Sequence, residues 1–378
     1  MITGGADENT LYTIQGLNKD QYEIDLITGE EIDSALLNKE ENHPFNIIQV
    51  QGLKWKLNFI HDPIVFLKLI KLIKENRYDI VHTHTTKAGI LGRIAAHIVG
   101  VPIIVHGLHG STFQAFNSRM LNDLLFYFEK RTSRFTDAYI SVSKVLSEIY
   151  IGKGIGNKDN HHTVYSGMDL TKFYQARNKI NKRKVYKDLG IDEKDFIIGN
   201  VARLETRKGH LFLIDAFKEV LKENKKSNVK LLIIGEGNKR NDLEFYVKKM
   251  NLEDKVIFTG YREDVEDLMA IMDIFVLTSL REGLPRVLVQ AAAVGKPSIA
   301  FNVDGVPEII QDDYNGFLVR PKDVKQLKDK VKEYINNDEL VLLHGKNGRE
   351  FIGDKWSIQG MVDRVDLIYQ SLINKKIK

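Results

Sequence analysis

Two cations lie close together in one loop of the sequence. Arg203 and Lys208 belong to RLETRKGH, which follows an apolar run at 196–202 and precedes a helical pattern. Positive charge beside a helix N-terminus suits a diphosphate, because it stabilises a departing phosphate without the help of a metal ion. A solvated basic loop is the alternative for the same residues. We interpret the loop as the diphosphate-binding, catalytic part of a site.

A second stretch, REGLPRVLVQAAAVGKP, combines polar groups with an apolar helical run. Glu282 follows a strand-like run, where a carboxylate can accept hydrogen bonds from sugar hydroxyls, and we count it among the catalytic residues. Gly283 and Leu284 extend the same loop, and Gln290 follows about two helical turns after Glu282. All three are predicted to contact a bound donor molecule. The alternative is a helix-capping glutamate followed by a satisfied core glutamine.

Weaker candidates follow the neighbouring strand-like runs. Gly235 and Gly237 flank one glutamate in a turn that would let a ligand approach the backbone closely. Tyr261 and Arg262, in YREDV, are candidates for contacts to a base or a ribose. A tight structural turn and an ordinary surface loop are the respective alternatives. All four residues belong to the predicted donor-binding set.

The first half of the chain contributes a histidine and a pair of glycines. His109, in HGLHGSTF, lies beyond the apolar run at 102–107, and a histidine there can donate to a phosphate or a sugar hydroxyl near neutral pH. Gly4 and Gly5 are predicted to form a tight turn at the donor site. Since the chain has 11 histidines, a structural histidine is the alternative for His109.

Several familiar classes of site are excluded. The chain has no cysteine, which rules out disulfides, iron–sulfur clusters, thiolate zinc sites and a cysteine nucleophile. G-x-G-x-x-G is absent at the first strand and G-x-x-x-x-G-K-[ST] is absent throughout, which weakens dehydrogenase and P-loop assignments. His82 and His84 alternate along a strand, but no carboxylate cluster accompanies them. We therefore predict no metal and no cofactor.

The composition is that of an ordinary globular protein. The 378 residues are 43% hydrophobic and 28% charged, which is enough chain for two domains. A net charge of +4 and a pI near 8.8 are too mild for a nucleic-acid footprint but suit anionic substrates or weak contact with an anionic leaflet. No apolar run approaches the ~20 residues that cross a bilayer, and the start lacks the features of a secretory signal. We expect a cytoplasmic protein.

Apolar runs that alternate with helical patterns must position these residues. The predicted strands lie at 22–28, 78–84, 102–107, 138–143, 196–202, 229–235, 255–260, 274–279 and 297–302. Helical patterns separate them, as at 62–77 and 87–100. The alternation predicts two doubly wound α/β domains with parallel sheets. Because the start is glycine-rich where a strand is expected, the first strand is predicted to be truncated or replaced.

The pattern also predicts the domain boundaries. We place an N-terminal domain at 1–168 and a C-terminal domain at 169–354, with a loop at 166–195 before the second series of strands. The last segment, 355–378, has helical spacing and is expected to return to the first domain.

The stretches that hold these candidates resemble one enzyme family. The similarity to the donor domain of family four glycosyltransferases lies in GNVARLETRKGH, LLIIGEG, VIFTGYREDV, TSLREGLPRVLVQAAAVGKPSIAFNVDGVPEII and NGFLV. The first half of the chain also resembles that family, because it contains stretches similar to the markers of the family's first domain in the expected order: TGGADENTL, VHTHTTKAGILGRIAA, VHGLHGSTF, ISVS and TVYSGMDLTKF. The resemblance covers nearly all of the chain. It implies the GT-B architecture, in which two Rossmann-like domains face each other across a cleft.

The resemblance implies a reaction and residue roles. Such enzymes transfer a sugar from a nucleotide-diphosphate sugar to an acceptor with retention of anomeric configuration, generally without a required metal. Arg203 and Lys208 would bind the donor diphosphate. Glu282 would hold the donor sugar, and His109 would lie near it. Gln290 stands where the family's E-x-x-x-x-x-x-x-E motif has a second, ribose-binding glutamate, and glutamine keeps a carbonyl acceptor while losing the charge.

The acceptor is expected to bind mainly to the first domain. The resemblance implies a glycan or lipid-linked acceptor and a role in cell-surface polysaccharide or lipopolysaccharide biosynthesis. The segment RMLNDLLFYFEKRTSRF carries Lys130, Arg131 and Arg134, and Phe113 and Phe116 precede it. We predict a buried helix with a basic end, and the alternative is peripheral contact with the inner face of the membrane.

Two rival functions stay open at this point. A nucleotide-sugar 2-epimerase of the same fold would release free sugar without using an acceptor. A non-catalytic subunit that binds sugar nucleotides is consistent with Gln290 and with the unusual start of the chain.

Overall fold

The computed structural model contains two compact α/β units. It describes residues 5–30, 45–54, 58, 60–110, 118–223 and 228–377. One unit is formed by Met1–Met168 and Lys355–Lys378, and the other by Asp169–Asp354. Each unit is built on a parallel sheet with accompanying helices, as the alternation of apolar runs and helical patterns predicts.

The first unit begins, among the described residues, with a helix. Its strands are β1 (Asp25–Thr28), β2 (Asn46–Gln49), β3 (Ile80–His84), β4 (Ile103–Leu108), β5 (Ala138–Ser141) and β6 (His161–Thr163). Its helices include α1 (Gly5–Gly16), α2 (Asp62–Asn76), α3 (Thr86–Val99), α4 (Arg119–Thr132) and α5 (Lys144–Gly152). Strands β3-β4-β5-β6 form a parallel sheet in that order, and β1 and β2 form a separate parallel pair. Strand β4 is buried along its whole length.

The second unit contains a six-stranded parallel sheet. Its strands are β7 (Phe196–Val201), β8 (Val229–Ile234), β9 (Val256–Gly260), β10 (Ile274–Leu277), β11 (Ser298–Phe301) and β12 (Gly316–Val319). Its helices are α6 (Thr171–Lys179), α7 (Lys182–Leu189), α8 (His210–Glu223), α9 (Arg240–Lys249), α10 (Val265–Ile271), α11 (Arg286–Val294), α12 (Val324–Ile335) and α13 (Asp338–Ile352). The strand order is β12-β11-β10-β7-β8-β9.

The strand order of the second sheet reverses between β7 and β10. The chain runs outward from β7 through β8 to β9, then returns to the other side of β7 and continues from β10 to β12. Strands β7 and β10 are direct neighbours, with Ile198 paired with Ile274. In open parallel sheets, ligands bind beyond the carboxyl ends of the strands at such a reversal. The loops that follow β7 and β10 are therefore the expected position of a site.

The last helix, α14 (Ile358–Lys376), belongs to the first unit. Its Val362 and Val365 are buried in one apolar cluster with Val105 of β4. A Cβ on Gly16 of α1 would lie 2.6 Å from Val362 Cγ2, so α1 and α14 are in close contact. The predicted return of the last segment to the first domain is confirmed.

Some predicted elements differ from those observed. The stretch 166–195, predicted as a loop, contains α6 and α7. The first predicted strand, 22–28, is shorter and begins at Asp25. It pairs with β2, which was not predicted, and β6 was also missed. A strand of three residues, such as β6, carries too little periodicity to be recognised from sequence.

Helix α4 is amphipathic, and the prediction that it is buried is wrong. Leu125 and Glu129 are buried, whereas Met120 is 81% exposed and Tyr127 is 54% exposed. Burial is limited to the side that packs against α3, because apolar side chains also occupy the exposed positions of the helix. Phe113 and Phe116, which precede this helix in the sequence, lie outside the described residues.

Candidate active site

The loops after β7 and β10 are joined by an ion pair. Lys208 Nζ lies 2.6 Å from Glu282 Oε1, and the two side chains are only 13% and 9% exposed. Because water screens such a pair poorly, the contact is stronger than an exposed salt bridge. Two residues predicted from separate loops therefore meet at the strand reversal.

Backbone contacts hold the same two loops together. Thr278 Oγ1 donates to the Lys208 carbonyl oxygen at 3.2 Å, and the Leu280 N–H donates to the Arg207 carbonyl oxygen at 2.8 Å. Gly209 has a φ of +68°, and a Cβ on it would lie 2.2 Å from the Thr278 carbonyl oxygen. Only glycine fits between Lys208 and the N-terminus of α8.

An aspartate that was not predicted supports the glutamate. The Glu282 N–H donates to Asp304 Oδ2 at 2.7 Å. Burial raises the pKa of the Asp304 carboxyl, and the hydrogen bond from Glu282 opposes that shift. Asp304 lies in the loop NVDGVPEII after β11, so an acidic residue at the end of a strand next to the reversal was the available signal.

Arg203 lies at the start of the loop that ends at Lys208. Its side chain is 54% exposed, and its Nη1 lies 3.8 Å from Glu205 Oε1. Glu205 also accepts a hydrogen bond of 2.9 Å from Arg207 Nε. An exposed contact of this length is weak. The role of Arg203 at a diphosphate stays a prediction.

Gly235 and Gly237 allow a close approach, but to the protein's own backbone. Gly235 has a φ of +136°, and a Cβ on it would lie 2.1 Å from the Ala202 carbonyl oxygen. A Cβ on Gly237 would lie 2.4 Å from the Leu204 carbonyl oxygen. The two glycines therefore let the loop after β8 rest on the loop that carries Arg203. A tight structural turn explains their identity, and direct donor contact stays a prediction.

The residues after β9 have surface surroundings. Tyr261 is 73% exposed. Arg262 donates from Nε and Nη2 to the two carboxylate oxygens of Asp264, at 2.7 and 2.5 Å. This pairing satisfies the guanidinium within its own loop. A contact of Tyr261 or Arg262 with a base or ribose stays a prediction.

The segment after Glu282 leads into α11. Gly283 is partly buried, and Leu284 is 9% exposed. Pro285 occupies the cap position directly before the helix. Gln290 is partly buried in the middle of α11, between buried Val289 and Ala291. Gln290 is therefore not enclosed in the core, and its role at a ribose stays a prediction.

In the first unit, His109 follows β4 and is hydrogen-bonded to a second histidine. His109 Nε2 lies 2.9 Å from His84 Nδ1. Burial lowers the pKa of His109 to about 4, so the ring is neutral at physiological pH. A neutral ring keeps one N–H donor, which suits the predicted contact with a phosphate or a sugar hydroxyl.

The predicted glycine turn at the start of the chain is not observed at Gly5. Gly5 is the first residue of α1, which runs to Gly16, so its backbone continues into a helix. Gly4 lies outside the described residues. Donor contacts of both residues stay predictions.

Two further features concern the whole described chain. Among the described residues, no three histidine, aspartate or glutamate side chains are grouped so that they could hold a metal ion. None of the helices in that part of the chain combines the length and the apolar character needed to cross a bilayer.

Comparison with known proteins identifies both halves of the chain. Residues 181–351 match the family model described as Glycosyl transferases group 1. Residues 3–172 match the model described as Glycosyltransferase Family 4.

Individual relatives match this chain over nearly its full length. The Escherichia coli UDP-Gal:alpha-D-GlcNAc-diphosphoundecaprenol alpha-1,3-galactosyltransferase is 30% identical over 376 residues, which cover 99% of this chain and 96% of that protein. The Staphylococcus aureus capsular polysaccharide biosynthesis glycosyltransferase CapM is 28% identical, with 96% and 93% coverage. The crystal structure of Anabaena Alr3699/HepE in complex with UDP-glucose is similar in fold, with a TM-score of 0.80, 23% identity and coverage of 98% and 97%.

The paired α/β units and these matches define the chain as a glycosyltransferase. The chain belongs to the family described as group 1 glycosyl transferases. Its first half matches the model described as glycosyltransferase family 4.

Proposed function

We propose that this glycosyltransferase transfers a sugar from a nucleotide-diphosphate sugar to a glycan or lipid-linked acceptor, with retention of anomeric configuration. The observation that carries the proposal is the Lys208–Glu282 pair, which joins the loops after β7 and β10 at the strand reversal. A cation and a carboxylate at one point suit a ligand that has a phosphate next to a sugar.

The donor diphosphate takes the place of Glu282 as the partner of Lys208. The N-terminus of α8 follows that lysine by two residues, and its free N–H groups favour negative charge. Arg203, at the start of the same loop, adds a second cation. These groups stabilise the departing nucleoside diphosphate, so no metal ion is required for this step.

The released carboxylate then serves the sugar. Glu282 accepts hydrogen bonds from hydroxyls of the donor sugar, while its backbone N–H stays bonded to Asp304. Gln290 offers a carbonyl oxygen to the ribose. An oxygen of the departing phosphate takes the acceptor's proton as the new glycosidic bond forms, so the protein supplies no nucleophile.

The relatives suggest the class of donor and acceptor. The E. coli relative is named for a UDP-galactose donor and a diphosphoundecaprenol-linked acceptor, and the S. aureus relative for capsular polysaccharide biosynthesis. We propose a UDP-sugar donor and a role in cell-surface polysaccharide or lipopolysaccharide biosynthesis for this chain. For His109 we propose a hydrogen bond to the transferred sugar.

Peripheral membrane contact belongs to the same proposal. The exposed apolar side chains of α4 lie between Met120 and Phe128, and exposed Lys130 and Arg131 lie near the end of the helix. Apolar groups beside cations suit the headgroup region of an anionic membrane, where a lipid-linked acceptor resides. We propose that the protein works at the cytoplasmic face of the membrane.

A donor screen followed by product analysis tests the proposal. Thermal unfolding is measured with UDP-, GDP- and ADP-sugars, and the donor that raises Tm most is incubated with a diphosphoundecaprenol-linked saccharide in the presence of EDTA. The expected product is an extended lipid-linked glycan whose anomeric configuration, read by NMR, matches that of the donor. Free sugar without an acceptor product would instead indicate an epimerase. Donor binding without any turnover would indicate a binding subunit.

A further inference from the structure

Two histidines on neighbouring strands of the first unit share one hydrogen bond. His84 is the last residue of β3, and His109 follows the end of β4. His84 Nδ1 and His109 Nε2 are 2.9 Å apart, and the two rings are tilted by 36° with centroids 5.1 Å apart. The distance is that of a normal nitrogen hydrogen bond.

Gly107 leaves the space that this hydrogen bond occupies. A Cβ at residue 107 would lie 2.5 Å from His84 Nδ1 and 3.2 Å from His109 Nε2. Gly107 lies on β4, between β3 and β5, and its φ is not positive. Its backbone conformation therefore does not require glycine. The room for the two rings is the reason we find for a glycine here.

The ring of His84 is held from its other side. His82, two residues earlier on β3, has its ring centroid 4.3 Å from that of His84. His82 Nδ1 is in turn 2.6 Å from the hydroxyl oxygen of Tyr369, on α14. These contacts help to fix the orientation of the His84 ring. The partner of His84 Nδ1 is His109 Nε2.

Because both rings are neutral, they can share only one proton. Burial lowers the pKa values of His84 and His109 well below neutrality. If His84 donates from Nδ1, His109 accepts at Nε2 and must carry its own proton on Nδ1. If His109 donates from Nε2, its Nδ1 is a bare acceptor. The direction of one hydrogen bond therefore decides what His109 offers to a ligand.

We infer that His84 is a positioning residue, which donates to His109 and so keeps His109 Nδ1–H as a hydrogen-bond donor for the transferred sugar. The inference rests on the proposed function, because it assigns His109 to the donor sugar. His84 itself does not touch the substrate. It acts by setting the tautomer and the orientation of the neighbouring ring.

The test combines a tautomer measurement with kinetics on the whole protein. Long-range ¹H–¹⁵N NMR of histidine-labelled protein is expected to find His109 protonated on Nδ1. His84→Leu removes the partner, and we expect His109 to shift toward the Nε2–H form. With a UDP-sugar and acceptor, kcat is expected to fall roughly 3- to 10-fold, the loss of about one hydrogen bond, while KM changes little.

Two further variants distinguish a positioning role of His84 from a merely structural one. His84→Asn places an amide where Nδ1 lies, so it is expected to recover the His109 tautomer and most of kcat, which a merely structural role would not predict. His97→Leu removes an exposed histidine that stacks on Phe135 and is expected to change neither readout.

The inference and the proposed function fail in different ways. An unchanged His109 tautomer together with wild-type kcat in His84→Leu would overturn the inference, as would Nε2–H as the resting form in the wild-type protein. A wild-type protein with no transfer to any acceptor would contradict the proposed function, and the tautomer comparison would still decide the direction of the hydrogen bond.

Discussion

Lys208 and Glu282, 74 residues apart in the chain, form a 2.6 Å ion pair at the point where the strand order of the second sheet reverses. Neither side chain exceeds 13% exposure. The pair keeps two groups of opposite charge in place at a site that must bind both a phosphate and a sugar. A donor that offers a diphosphate to the lysine and hydroxyls to the glutamate replaces one contact with two.

The glutamine in α11 gives a test of the donor site. Gln290→Glu restores a carboxylate that can accept charge-assisted hydrogen bonds from ribose hydroxyls, which are about twice as strong as neutral ones. We expect the Kd of the UDP-sugar, measured by calorimetry, to fall roughly 3- to 10-fold. Gln51→Glu, at an exposed turn of the first unit, is the matched control and should leave Kd unchanged. Equal Kd values for Gln290→Glu and wild type would contradict the proposed contact between Gln290 and the ribose.

Four partly or fully buried histidines predict how stability depends on pH. Burial lowers the pKa of His82 to about 3 and those of His109, His161 and His210 to about 4. The unfolded chain protonates these groups near pH 6.5, so it binds more protons than the folded protein between pH 6.5 and 4. The free energy of unfolding is therefore fully present above pH 6.5 and falls as the pH is lowered.

The size of this effect can be measured by urea unfolding. Each histidine that stays neutral in the folded protein contributes about 1.4 kcal/mol per pH unit once the pH is below 6. A free energy of unfolding that stays constant from pH 6.5 to 5 would contradict the burial of these rings.

A buried ion pair in the first unit predicts a large loss of stability. Arg93 Nη2 donates to both carboxylate oxygens of Glu129, at 2.7 and 2.8 Å, and the two side chains are 0% and 1% exposed. Glu129→Gln leaves the guanidinium without its counter-charge, and we expect the free energy of unfolding to fall by about 3 kcal/mol. The double variant Arg93→Met/Glu129→Leu should lose less, because no unpaired charge stays buried.

An exposed pair on a neighbouring helix serves as the control for that measurement. Lys144 and Glu148 of α5 are 4.0 Å apart and largely exposed, so Glu148→Gln should change stability by less than about 0.5 kcal/mol. If Glu129→Gln were as mild as Glu148→Gln, the Arg93–Glu129 pair would not be the buried contact described above.

The apolar face of α4 predicts binding to anionic membranes. Leu124 is 41% exposed on this face, and Leu124→Glu places a charge where lipid contact is proposed. We expect the protein to co-sediment with vesicles that contain phosphatidylglycerol, and the variant to bind several-fold less. Leu342→Glu changes a more exposed leucine, which lies on α13 and is 65% exposed, and this variant should bind as the wild type does. Binding that is independent of anionic lipid would contradict the proposal.

The sequence predicts local elements well because their causes are local. The apolar run that became β4 and the helical spacing of α14 are visible in the residues themselves, as is the glycine that ends α3. Glu282 and Lys208 were also selected from the sequence as candidates, because polar residues after predicted strands stand out. The structure brings the two side chains together, and their roles at a substrate stay predictions. Short strands such as β6 were missed, since three residues carry no period.

The contacts between distant residues could not be predicted in the same way. The spacing of Lys208 and Glu282 contains no indication that β7 and β10 are neighbours, because strand order is a property of the whole sheet. The hydrogen bond between His84 and His109 depends on the missing side chain at Gly107. Helix α4 was expected to be buried because its apolar content is high, although only the side that packs against α3 is buried.

The turnover of Lys208→Ala tests the central claim most directly. Transfer from the UDP-sugar to the lipid-linked acceptor is measured for this variant and for Lys222→Ala, which removes an exposed lysine from the last turn of α8, the helix that follows Lys208. If Lys208 stabilises the departing diphosphate, its loss lowers kcat by roughly 10²-fold or more, while Lys222→Ala retains wild-type kcat. A folded Lys208→Ala protein with full turnover would contradict the account.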